Sequence, residues 1–314
     1  MKFAFLADPL SGFKTYKDST YAMMAEAARR GHQVYAFEQQ DLALDEGIVS
    51  AYAAQITLTG EADDWFRAGP AVATPLTAFD MVIQRKDPPF DMEYIYGTYL
   101  LELAEQQGAR VTNRPAAVRN NNEKLSIAQF PQFITPTLVT SSEARLRAFH
   151  AQHQDVILKP LDGMGGAGVF RIKADALNLG SVIESLTDNG RCTIMAQRFI
   201  PAIEQGDKRI LVIDGKPVPF ALARIPQNGE VRGNLAAGGL GVAQPLSKRD
   251  LEIAETLGPL LAARGLLLVG LDVIGDCLTE INVTSPTCFQ EIKQQAGFDV
   301  AAMFIDAVER AVAA

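Results

Sequence analysis

The chain has 314 residues, 48% hydrophobic and 21% charged, with a formal net charge of −8. That length supports two or three lobes whose cores need no disulfide staples. The acidic balance disfavours nucleic acid as the main partner, because phosphate backbones want a basic face, yet it leaves room for a nucleotide in a locally basic cleft.

In chain order, FAFLA (residues 3–7) is a short apolar run that stops at Asp8-Pro9. It is too brief for a signal-peptide core, and no later run reaches membrane-spanning length, so no membrane partner is expected. KFAFLA predicts a strand, and Asp18-Ser19 predicts the cap of a helix from Thr20 to Arg30. Tyr21, Met24 and Ala28 share a face of that helix, and Gly31 is its stop. QVYAFE is the next strand, and MVIQR another after an irregular segment; MEYIYGTYLLELAEQQG is a strong helix and ARVTN a short strand. This alternation predicts an α/β lobe over residues 1–122, with a mostly parallel open sheet covered by helices. The loop after its first strand, DPLSGFKTYKD, has no G-x-G-x-x-G, so the lobe lacks a phosphate loop where such sheets usually carry one.

From Asn120 the character changes. NNNEKLSIAQF predicts a capped helix, PQFITPTLVT an extended segment and SSEARLRAFHAQH a helix. VILKPLDGMGGAGVFRI then reads as strand, glycine loop, strand, followed by strands at CTIMAQRFI, KRILVIDG, PVPFALARI, LLLVGLDVIG and CLTEINV. SKRDLEIAETLGPLLAARG and DVAAMFIDAVERAVA are helices. The expected class is α+β, with two antiparallel sheets facing a cleft, divided into a central lobe (123–200) and a C-terminal lobe (201–314).

The glycines at 163, 165 and 168 spell G-x-G-x-x-G, with Gly166 between. A dinucleotide loop must open a helix, whereas Gly168 leads into VFRI, a β-branched and aromatic run that favours a strand. G-x-x-x-x-G-K-[ST] is missing, as are H-R-D and D-F-G, so Walker A and protein-kinase readings fail. What remains is a hairpin whose bare amides can close over phosphates, or a glycine-rich turn without ligand. Lys159 ends the preceding strand and can point at a phosphate; alone, it is equally a snorkelling strand-end lysine.

A second constellation lies in VGLDVIGDCLTEINVTSPT (269–287). Glu280 and Asn282, two apart on one strand, share a face, with Asp272 across the hairpin. Hard oxygen donors without histidine or cysteine suit Mg²⁺, whose shell phosphates and water complete. Three histidines (His32, His150, His153), no H-E-x-x-H and no G-x-S-x-G leave little room for histidine catalysis. Cys192, Cys277 and Cys288, odd in number and without C-x-x-C, suit a reducing cytoplasm; Cys288, lacking an acid–base partner, reads as a buried filler.

Taken together, QRKDPPFD (84–91), LKPLDGMGGAG (158–168), GDKRILV (206–212), ARIPQNGEVRGNLAAGG (223–239) and LTEINVTSPT (278–287) resemble the ATP-grasp superfamily and, within it, the bacterial glutathione synthetases. The resemblance spans nearly the whole chain. It implies an N-terminal substrate-binding lobe followed by a two-lobed ATP-grasp fold with ATP between antiparallel sheets. It further implies that Lys124 and Lys159 bind the ATP phosphates under a flap of Gly163, Met164, Gly165, Gly166, Ala167 and Gly168. Gln197, Arg198, Phe199 and Ile200 would line the adenine pocket, and Asp207 would meet the ribose. Asp272, Glu280 and Asn282 would hold two Mg²⁺, with Mn²⁺ as a substitute. Arg209 and Arg224 would neutralise the transferring phosphate, and Arg85 would help hold the peptide. Arg232, Gly233 and Asn234 would begin a second lid, while Ser285 and Thr287 would meet the glycine carboxylate.

The implied reaction ligates γ-glutamylcysteine to glycine through an acyl phosphate, in a cytoplasmic homo-oligomer that the resemblance suggests is a tetramer. The alternatives are another ATP-grasp carboxylate–amine ligase, such as a peptide or D-alanine ligase, and a non-catalytic ATP-binding module.

Overall fold

The computed structural model describes residues 1–62, 64–163, 165–227, 233 and 238–314. The first part comprises β1 (Lys2–Leu6), α1 (Ser19–Arg29), β2 (Gln33–Phe37), β3 (Leu42–Asp45), β4 (Ile48–Leu58), β5 (Phe66–Ala68), β6 (Val72–Pro75), β7 (Met81–Gln84), α2 (Met92–Gln106), β8 (Val111–Thr112) and α3 (Pro115–Arg119). The second part comprises β9 (Thr137–Thr140), α4 (Glu143–His153), β10 (Val156–Pro160), β11 (Phe170–Ile172), α5 (Leu179–Thr187), β12 (Ile194–Arg198), β13 (Asp207–Ile213), β14 (Lys216–Ile225), β15 (Leu240–Pro245), α6 (Lys248–Ala263), β16 (Leu268–Ile274), β17 (Cys277–Asn282), α7 (Phe289–Ala296) and α8 (Val300–Ala313).

The first sheet runs β3-β4-β2-β1-β7-β8. Its β2-β1-β7-β8 portion is parallel, as the alternation of strands and helices predicts. The segment read as irregular instead forms the long strand β4, antiparallel to β2 and β3 and also paired to β5 and β6. A two-residue loop makes this possible: Glu46 and Gly47 join the paired ends Asp45 and Ile48 with φ of 47° and 82°. Two consecutive positive φ values give the tight reversal that matches strand twist. The chain therefore leaves β1 toward β2 on one side and later returns to β7 on the other, so the order reverses between β1 and β7.

Asp18 caps α1, accepting from the Tyr21 amide at 2.7 Å. The buried stripe of α1 is Thr20, Met23, Met24 and Ala27, while Tyr21 and Ala28 are only half-buried. The shift arises because α1 packs on the sheet and also against the C-terminal helices: Met23, Met24 and Ala27 share a core with Phe289, Phe304 and Val308. Arg30 clasps Asp306 and Glu309 at 2.6 and 2.9 Å. The last helices thus close over the first lobe.

The helix expected in NNNEKLSIAQF is instead a short 3-10 turn, Leu125–Gln129, and the segment expected as extended opens with another, Pro131–Phe133. Asn122 Oδ1 takes the amides of Lys124 and Leu125 at 3.2 and 2.8 Å, and Pro131 has no amide to continue a helix. Beyond it lie two antiparallel sheets, β11-β10-β12-β9 and β15-β14-β13-β16-β17. Val156 and Leu158 enter the core beneath the first, which turns the alternate residues Ile157 and Lys159 to the opposite, cavity-lining face.

Candidate active site

A cavity of about 340 Å³ lies between the two antiparallel sheets. One wall carries Ile157, Lys159, Gly163, Gly165, Gly166 and Ala167, with Gln197, Arg198, Phe199 and Ile200 at one end. The opposite wall carries Asp207, Arg209, Arg224, Glu280 and Asn282, and the floor continues through Ser285 and Thr287.

The charges on that wall are arranged by strand register. Alternation along β13 sends Asp207 and Arg209 to the cavity and Lys208 to the other face, where its ammonium meets Asp250 of α6. Asp207 pairs with Arg224, Arg209 with Asp272, and Asp272 with Glu280 as cross-strand neighbours. Arg209 grips Asp272 with two nitrogens at 2.5 and 2.8 Å, and Arg224 reaches Asp272 at 2.8 Å and Asp207 at 2.5 Å. Burial opposes charge on Asp272, but the two guanidiniums outweigh it and hold its carboxyl well below the usual range. On Asp207, burial and the nearby Asp272 charge outweigh Arg224 and Arg209, so its carboxyl is pushed up to about 6. Its Oδ1 is buried without a partner among the described residues.

Lys124 joins the two walls. Its ammonium donates to the Gly163 carbonyl at the base of the glycine loop and lies 3.1 Å from Glu280 Oε1. Lys159 reaches toward the Thr279 carbonyl at 3.5 Å. Burial pushes Lys159 down to about 8, partly countered by Glu280 and reinforced by Lys124. In the loop, Gly165, Gly166 and Gly168 have φ of 63°, 81° and 70°, the left-handed region that glycine tolerates best. Gly168 also packs within 3.1 Å of Pro160 at the point where a Cβ would project, which seats the loop on its own strand.

At the far end, Phe199 lies under the Arg171 guanidinium at 3.5 Å, and its amide donates to Asp155. Gly233 is buried where a Cβ would stand 2.1 Å from the Arg224 carbonyl. Met164, Arg232 and Asn234 lie outside the described residues. Arg85 does not line the cavity: it is buried behind Pro286, donating to Thr20 Oγ1 at 3.1 Å and to the Pro286 carbonyl at 3.0 Å. One of its terminal nitrogens is buried without a partner among the described residues.

Several cavity residues had no signal of their own in the sequence. Glu123 Oε1 accepts from the amides of Val283 and Thr284 at 2.8 and 3.1 Å and from the Thr284 hydroxyl at 2.9 Å. It thereby fixes the turn after Asn282, and burial together with Glu280 raises its carboxyl. Asp87, Ile203, Thr279 and Cys288 also line the cavity. Cys288 is buried with φ of 88°, and burial pushes its thiol up, so it stays protonated near neutrality.

The donor chemistry for a divalent cation is oxygen-only. Among the described residues no group of three His, Cys, Asp or Glu side chains is placed to hold a metal. Two carboxylates and the Asn282 amide oxygen, left available because its nitrogen donates to Gly270 at 3.2 Å, fit a cation whose shell phosphates complete. Three guanidinium nitrogens crowd Asp272, so Glu280 and Asn282 are the more open donors.

A glycine hairpin over paired lysines, facing acidic β-strands across a cleft, defines an ATP-grasp ligase. D-cycloserine synthetase DcsG is similar in structure, with a TM-score of 0.71 at 16% identity over 99% of this chain and 100% of that one. So is the ATP-grasp ligase PsnB complexed with minimal precursor, Mg and ADP, with a TM-score of 0.62 at 19% identity over 100% and 98%. At these identities the likeness concerns the fold. Residues 1–119 match the N-terminal domain and residues 123–297 the ATP-grasp domain of prokaryotic glutathione synthetase. Glutathione synthetase of Ralstonia nicotianae is 64% identical over 99% of this chain and 96% of its own length. That of Nitrosomonas europaea is 60% identical over 100% and 99%. The chain belongs to the prokaryotic glutathione synthetase family and is an ATP-dependent ligase.

Proposed function

We propose that the cleft joins γ-glutamylcysteine to glycine in three steps: ATP phosphorylates the cysteinyl carboxylate, the glycine amine attacks the acyl phosphate, and phosphate leaves. The observation that best supports this reading is the single Lys124 side chain touching both the glycine loop and Glu280 across one small cavity.

Phosphoryl transfer asks a protein for alignment and positive charge. Lys124 and Lys159 hold the phosphates under the glycine loop, and Gln197 to Ile200 receive the adenine. The unpartnered Asp207 oxygen suits a ribose hydroxyl donor. Arg209 and Arg224 lie beside the migrating group, and loss of one such donor typically costs about 3 kcal/mol, roughly a hundredfold in rate. Asp272, Glu280 and Asn282 would hold two Mg²⁺, or Mn²⁺ in their place. Bound there, a divalent cation would supply positive charge against the charge that develops on the phosphates. Ser285 and Thr287 take the glycine carboxylate, and Arg85, with its unpartnered nitrogen, backs the peptide site. Arg232 to Asn234 begin a second cover that keeps water from the acyl phosphate. The working unit is read as a cytoplasmic homo-oligomer, tetrameric by resemblance, built of lobes 1–122, 123–200 and 201–314.

A coupled assay of ADP release tests the reading. Turnover should require both γ-glutamylcysteine and glycine, and turnover indifferent to either would overturn it.

A further inference from the structure

Open α/β sheets bind ligands in the crevice outside the carboxyl ends of their strands, where the strand order reverses. In the first lobe that point lies between β1 and β7. The residues just past the two strand ends are Asp8 and Arg85-Lys86-Asp87. They are tied together: Asp8 accepts the Lys86 ammonium at 2.6 Å with one oxygen and the Asp87 amide at 2.9 Å with the other. Asp87 is thereby held at the wall of the ligase cavity, its own carboxylate accepting the Ser285 hydroxyl. Asp272 and Glu280 each have a cation beside them in this state. Among the described residues that hydroxyl is the hydrogen-bond partner of the Asp87 carboxylate; the buried Arg85 guanidinium feels its charge, yet the side chain stays exposed at the cavity wall.

From this geometry we infer that Asp87 is the counter-ion for a substrate α-ammonium, and that the ammonium displaces the Ser285 hydroxyl when it binds. The exchange leaves a hydroxyl donor beside a carboxylate acceptor. That pair is the complement of an amino-acid head, with its ammonium on Asp87 and its carboxylate on Ser285. Both ligase substrates carry such a head, so the shared chemistry is an α-amino-acid zwitterion, and kinetics distinguish the two sources. The inference rests on the ligase reading above and adds the residue that recognises the ammonium.

The test is Asp87→Asn, which keeps an acceptor for Ser285 and removes the charge, with Asp87→Glu as the charge-retaining control. Initial rates of ADP release are measured against each substrate in turn, and against glutarylcysteine, which lacks the donor's α-amine. Charge-assisted hydrogen bonds are worth enough that KM for one substrate should rise about ten- to a hundredfold in Asp87→Asn. Its kcat should change far less, and Asp87→Glu should recover part of the loss. A rise for glycine alone places the glycine ammonium on Asp87. A rise for γ-glutamylcysteine, with glutarylcysteine used about equally by wild type and Asp87→Asn, places the donor's ammonium there. Unchanged KM values for both substrates, or a fall in kcat alone, overturn the inference. Wild type that fails to couple ADP release to the two substrates would sink the ligase reading instead.

Discussion

Lys159 sits behind the glycine loop with its ammonium pushed down to about 8 by burial, so nucleotide binding should become linked to a proton just above neutrality. A triphosphate placed against the lysine favours the charged form and raises its bound-state value. Below about pH 8 the lysine is already charged and its contribution to affinity is fully present. Above that, binding must take up a proton, and affinity falls by up to about tenfold, or 1.4 kcal/mol, per pH unit until the bound-state value is reached. Asp207, raised to about 6, finishes most of its titration below this window. The assay is calorimetry of a nonhydrolysable ATP analogue with Mg²⁺, from about pH 7 to about pH 9.5, in two buffers of different ionisation heat. Proton uptake should grow above pH 8 in wild type and vanish in Lys159→Arg, whose guanidinium stays charged. Absence of uptake in wild type, or the same uptake in Lys159→Arg, would refute the assignment of Lys159 to the phosphates.

Asp272→Asn should be damaging twice over: it leaves Arg209 and Arg224 as poorly compensated buried charges, a loss of about 3–5 kcal/mol seen in thermal or urea unfolding, and kcat should fall with it. Glu280→Gln should fold normally, because its carboxylate is partly exposed, yet need at least about tenfold more Mg²⁺ for half-maximal rate, read from a metal titration. Gly258→Ala in α6 would push a Cβ to 2.4 Å from the Gly215 carbonyl. It should lower Tm, with a destabilisation of about 1–3 kcal/mol, while nucleotide affinity at lower temperature stays unchanged.

The local chemistry was legible in residue order. A glycine loop followed by VFRI has to be a hairpin, since β-branched and aromatic residues resist opening a helix. The two-residue spacing of Glu280 and Asn282 has to place them on one face of a strand. The charge network was less accessible: the sequence contains Arg209, Arg224, Asp207 and Asp272, but only strand register makes them neighbours. Glu123 carried no signal and Asp87 no role beyond its place in QRKDPPFD, because an isolated carboxylate looks the same whether it faces water or accepts hydrogen bonds from residues some 160 to 200 positions away.

From the sequence by itself came most of the element types, the two antiparallel sheets of the second part, the glycine hairpin and the shared strand face of Glu280 and Asn282. These follow from periodicity and turn chemistry acting within a few residues. Tertiary structure decided that β4 reverses the edge of the first sheet and that α7 and α8 close over the opening lobe. It also decided that Lys124 spans the two walls and that Asp87 faces Ser285. These outcomes depend on which distant surfaces bury one another and in what register, and only the folded chain settles that choice.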